Sequence, residues 1–139
     1  GYTIGLVTEV AIDGNNGGWA VLFGAAPLAG SQIDIAIDED TLGDTERSHT
    51  TENVSYWVFD TDPGLSFMES FSIPSVGSAW QTINLSNDYI SMVPVCSYHL
   101  PTSSDNEVAI RIQNINNSGA PDSFQIRIQQ PRNGSSVTA

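Results

Sequence analysis

A chain of 139 residues that is 40% hydrophobic and only 14% charged is long enough to bury one core and too apolar to stay disordered. Sixteen acidic residues face four arginines (Arg47, Arg111, Arg127 and Arg132) and no lysine. The net charge of −12 argues against nucleic acid and anionic membrane surfaces as partners, because both are bound through cations. No run approaches the ~20 apolar residues of a membrane-spanning helix, and Cys96, the single cysteine, excludes an internal disulfide.

In chain order, short runs of β-branched and aromatic residues alternate with Gly, Pro, Asn, Asp and Ser clusters, and no window carries a helical apolar stripe. Strands are expected near Tyr2–Ile12, Trp19–Gly24, Gln32–Asp38, Asn53–Asp60, Leu65–Ile73, Ala79–Leu85, Ser91–Tyr98, Glu107–Ile115 and Ser123–Gln129. Eight or nine short strands predict an all-β fold, a two-sheet antiparallel β-sandwich of jelly-roll type. The first run differs from the rest: it is long and apolar on both faces, as in a strand covered on two sides or lying in another subunit's groove. It sets off residues 1–13 as an N-terminal strand that a neighbouring subunit could receive, with 14–139 as a single sandwich domain. Tyr2, Ile4, Leu6 and Val10 are the candidate anchors, and Gly5 permits close backbone approach. In the last two strands Val108, Ile110 and Ile112 alternate with Arg111 and Gln113, and Phe124, Ile126 and Ile128 with Gln125 and Arg127. If those strands pair, the two arginines share the outer face.

The most acidic stretch follows Ile37. Asp38, Glu39, Asp40, Asp44 and Glu46 supply the hard oxygen ligands that Ca²⁺ prefers, although the spacing is not that of an EF-hand. Calcium, a neighbour's arginines and plain solvation are the three readings; no cofactor is required. Zinc would need His and Cys clusters that the chain lacks. His49 and His99 are the only candidate bases for nucleophilic catalysis, and neither sits in a nucleophile-elbow pattern, so no enzyme is expected. Four Asn-X-Ser triplets, at Asn53, Asn84, Asn116 and Asn133, are glycosylation candidates. Cys96 lies in the run Met92-Val93-Pro94-Val95-Cys96 and reads as a buried thiol.

Four stretches in the first half carry a resemblance: Trp19-Ala20-Val21-Leu22-Phe23-Gly24-Ala25-Ala26-Pro27-Leu28, Ile37-Asp38-Glu39-Asp40-Thr41, Asp44-Thr45-Glu46-Arg47-Ser48-His49-Thr50-Thr51-Glu52 and Val54-Ser55-Tyr56-Trp57-Val58-Phe59. With Ser78–Ser86, Ala109–Asn114 and Ser123–Ile128 they resemble a β-sandwich repeat module of large secreted bacterial surface proteins, itself distantly similar to H-type lectin domains. The resemblance implies a secreted, cell-surface β-sandwich. Here one unit stands with an added N-terminal strand in place of a tandem array, and it lacks the polar sugar-contacting set of the true lectins. Repetition by assembly is therefore expected: an extracellular fibre, pilus-like filament or surface layer whose partners are copies of itself. A carbohydrate-binding module, with Trp19, Trp57 or Trp80 as a glycan-stacking platform, and a tandem adhesin repeat are the alternatives.

Overall fold

The structure is a computed structural model that describes residues 2–11, 17–39, 51–59, 68–102, 108–118 and 121–129. Among them the fold is all-β, with no helix. The strands are β1 (Ile4–Ala11), β2 (Gly18–Phe23), β3 (Leu28–Ala29), β4 (Gln32–Ile33), β5 (Ile35–Glu39), β6 (Asn53–Phe59), β7 (Gln81–Asn84), β8 (His99–Leu100), β9 (Ala109–Asn116) and β10 (Ser123–Gln129). They form a β1–β6 ribbon, two three-stranded sheets in the orders β5-β2-β8 and β7-β10-β9, and the small β3–β4 hairpin. All ladders are antiparallel except β2 with β8, which is parallel. Ten strands in four small sheets correct the expectation of eight or nine in two antiparallel sheets.

Each departure has a local cause. The run Gln32–Asp38 splits at Asp34, whose N–H donates to the Pro27 carbonyl (2.8 Å) while its own carbonyl accepts from Phe23 N (3.0 Å). Ile33 thus pairs with β3 and Ile35 with β2. In the hairpin, Gly30 has φ +64°, the positive value that a two-residue hairpin loop demands. Ser91–Tyr98 forms no ladder: Pro94 has no N–H to donate and disrupts pairing at its centre. The segment still alternates, with Met92, Pro94 and Cys96 half-buried and Val93 and Val95 exposed. Residues 68–73 of the expected strand Leu65–Ile73 are also unladdered. The register of β10 on β9 shifts between Ser123 and Gln125, and Asn114 sits there with φ 49°, so β9 carries a bulge that turns Ile115 out to solvent.

Two apolar clusters form. Ile83, Leu85, Phe124 and Ile126 bury the inner face of β7-β10-β9, joined by Tyr89, Met92 and Cys96. Val7, Ala20 and Leu22 join the β1–β6 ribbon to β2, with Ile35, Ile37 and Val54 around them. Asp122 ties the chain before β10 to the turn after β7: its carbonyl accepts from Leu85 N (2.8 Å) and its Oδ2 from Tyr89 N (2.6 Å). Glu69 holds the same turn, both carboxylate oxygens accepting from Ser86 N at 3.1 Å.

Candidate functional site

The feature with the most specific geometry is the slot that holds β1. On one edge β1 runs antiparallel to β6, with Ile4 opposite Phe59, Leu6 opposite Trp57, Val7 opposite Tyr56 and Thr8 opposite Ser55. Opposed residues in an antiparallel pair alternately bond to each other and turn their backbone groups away. Val7 turns its groups away from β6, toward Ser97. The Ser97 Oγ accepts from Val7 N at 2.8 Å and donates to Val7 O at 3.1 Å. One hydroxyl thus stands where a ladder partner would stand on the second edge of β1.

The floor of the slot is close-fitting. Val7 is buried against Ala20 and Leu22, and burying a side chain of this kind contributes roughly 1.5–3 kcal/mol. A Cβ on Gly5 would lie 3.2 Å from Leu22 Cδ2 and 3.2 Å from Leu28 Cδ2, so glycine lets the strand approach this closely. On the opposite face Ile4 and Leu6 join Trp57 and Phe59, whose rings meet edge to face at 6.3 Å. This face looks into a groove of about 230 Å³ backed by Phe71, Met92 and Phe124. Two further cavities, of about 670 and 570 Å³, lie along the Ser97 side of β1, and Cys96 borders all three. Burial pushes the Cys96 thiol above its ordinary pKa.

Of the four anchors expected from sequence, Ile4 and Leu6 face the groove. Tyr2 precedes β1 and is 57% exposed; Val10 is the extra residue where the register shifts between Glu9 and Ala11, and is 63% exposed. Val7 and Ser97, the residues that seat the strand most firmly, were missed. Val7 belongs to the opposite side-chain parity, and Ser97 lies ninety positions away in sequence with no local signal. The closeness at Gly5 was legible from a glycine inside a strand pattern.

Of the calcium candidates, Asp38 and Glu39 end β5 and are 2% and 1% exposed; they face Trp19 and Gly18 across the ladder. Asp40, Asp44 and Glu46 lie outside the described residues, as do His49 and Asn133. Among the described residues no group of three or more His, Cys, Asp or Glu side chains could hold a metal ion. The sequon residues Asn53, Asn84 and Asn116 are exposed at strand ends. His99 donates through Nε2 to the Gly24 carbonyl at 2.6 Å, a fixed structural contact.

Arg111 and Arg127 do lie directly opposite each other on the outer face of β9 and β10. The Arg127 guanidinium covers the Trp80 ring at 4.5 Å and donates to Gln129 Oε1 at 3.3 Å. Beside it runs a row of carboxamides, with Gln113 and Asn114 donating to Gln125 Oε1 and Gln125 donating to Thr82 Oγ1. Trp19 and Trp80 are half-buried, whereas Trp57 is 63% exposed. No protein-family model matches the chain, and no curated protein or solved structure matches it significantly.

Proposed function

We propose that this chain is a structural subunit of an extracellular fibre, pilus-like filament or surface layer, assembled by donating β1 of one protomer into the slot of the next. The observation that supports it best is the slot itself. β1 is held by a ladder to β6, by Val7 in an apolar pocket and by the Ser97 hydroxyl, and a β1 from a second copy makes every one of these contacts equally well. Exchange of an identical element between protomers is a low-cost route to assembly for that reason. The sequence Ile12-Asp13-Gly14-Asn15-Asn16-Gly17-Gly18 that joins β1 to β2 is rich in residues suited to a connector that changes course. In the assembled form the ribbon and the three-stranded sheets become the two layers of a jelly-roll-like sandwich. The exposed sequons and the resemblance to secreted surface modules support a cell-surface location, and the acidic stretch from Asp38 to Glu46 remains a calcium candidate.

Thr8 and Ser55 face each other across the β1–β6 ladder, which provides the test. Chains carrying Cys96→Ser with Thr8→Cys are mixed with chains carrying Cys96→Ser with Ser55→Cys, then oxidised and imaged by negative-stain electron microscopy with and without a chelator. Donation predicts interchain disulfides together with regular filaments. Single particles without interchain disulfides would sink the proposal. Filaments that dissolve on chelation would assign a structural calcium.

A secreted carbohydrate-binding module is the second reading, supported by the exposed Trp57 beside the groove of about 230 Å³. A monomer that binds defined glycans on an array, and loses them with Trp57→Ala, would favour it.

A further inference from the structure

Resting on the strand-donation reading, we infer that Gly5-Leu6-Val7 is the recognition element of the donated strand. Leu22, Leu28 and Ala20 read it, so that the slot takes the N-terminal strand of another copy of this chain in one register only.

A strand slot has a register problem. Ladder hydrogen bonds are main-chain bonds and repeat along the strand, so β6 alone accepts β1 shifted by two residues as readily as in place, with the same side chains facing in. The apolar face does not resolve the ambiguity. Tyr2, Ile4 and Leu6 are all large and apolar and repeat at the same spacing, so Ile4 could occupy the place of Leu6.

The other face is not repetitive. Its members are Thr3, Gly5, Val7 and Glu9, which differ in size and polarity. Gly5 sits where an added Cβ would be 3.2 Å from methyl groups of both Leu22 and Leu28, and Val7 fills the pocket against Ala20 and Leu22. A slip that moves Val7 into the tight place of Gly5 moves Glu9 into the apolar pocket. The opposite slip would put Thr3 at the tight Gly5 position and leave the pocket of Val7 to a glycine. Both are penalised, by overpacking or by burial of a charge. The Ser97 hydroxyl holds the seated strand through the N–H and C=O of one residue at 2.8 and 3.1 Å; a slip of two residues presents the same main-chain groups, so it adds hold and not register. Register is thus read from the face that carries no exposed anchor.

The lock acts on β1 whether the strand comes from the same chain or from another, so its test need not depend on assembly. In a Cys96→Ser background, Thr8→Cys is combined with Ser55→Cys to report the observed register, or with Asn53→Cys or Trp57→Cys to report slips of two residues. Disulfide yields are measured separately within and between chains, before and after adding Ser97→Ala or Gly5→Val. The lock predicts near-exclusive reaction of the Thr8–Ser55 pair in the parent. With Gly5→Val that preference over the slipped pairs should fall about ten-fold, whereas Ser97→Ala, which removes a main-chain contact common to all three registers, should leave it unchanged. Unchanged preference with Gly5→Val would overturn the lock. Within-chain disulfides that obey the predicted preference, with none between chains, would leave the lock standing as an intramolecular device but overturn its selection of a second copy, together with strand donation.

Discussion

Ser97 is the residue whose removal is most informative. Val7 is buried, and its N–H and C=O both depend on the Ser97 hydroxyl. Ser97→Ala should lower stability by about 1–3 kcal/mol in urea unfolding, the usual cost of leaving buried polar groups without a partner. The same variant should speed labelling of Cys96, which borders the slot, because β1 opens more often. Asp122 is the comparable anchor in the other half. It is 1% exposed and its Oδ2 receives the Tyr89 N–H. Asp122→Ala should cost about 1–3 kcal/mol and loosen the turn after β7 without affecting the β1 slot. Cys96 supplies a pH signature. Its pKa is raised above the ordinary 9.0 by burial, so the folded chain favours the neutral thiol. A group whose folded pKa is raised contributes stability that is intact below its unfolded value and is lost as pH rises through the folded one. Unfolding midpoints should therefore fall above about pH 9, and Cys96→Ser should flatten that part of the profile.

The elements differ in how much local pattern reveals. β10 appears at Ser123–Gln129, the span its alternation predicts, because Phe124 and Ile126 on one face are buried in the core while Gln125 and Arg127 on the other are only half-buried. β9 was legible up to Gln113; the Asn114 bulge then shifts the pairing, and no apolar period announces it. In Ser91–Tyr98 alternation of burial is real yet no ladder forms, because Pro94 supplies side-chain parity without a donor. The division of Gln32–Asp38 arose from long-range hydrogen bonding at Asp34, again outside the reach of periodicity. β1 has the strongest prediction at this scale. Its seat consists of a ladder, an apolar pocket and one hydroxyl, so the Thr8→Cys and Ser55→Cys chains should cross-link to each other once assembly begins.

At the scale of the whole molecule, charge sets the conditions for assembly. Each copy carries a net −12, and among the described residues Arg111 and Arg127 are the only arginines. Copies repel one another at low salt, where fields reach farther than the ~10 Å Debye length of 0.1 M electrolyte. Assembly followed by light scattering should accelerate with ionic strength, and again as pH falls toward the isoelectric point near 4.1. A rate that falls with added salt would instead make attraction between Arg111 or Arg127 and a neighbour's carboxylates the controlling contact.

Composition and two-residue periodicity alone determined that this chain is all-β, which side chains of β9 and β10 face inward, and that the N-terminal run is apolar on both sides. Those are local properties, set by alternation along a pleated backbone. The tertiary structure decided which strands pair, why one ladder is parallel, that Val7 seats the first strand, and that Ser97 closes its second edge. Pairing is a choice among distant segments with similar patterns, resolved only when backbone hydrogen bonds and side-chain volumes are satisfied together in three dimensions.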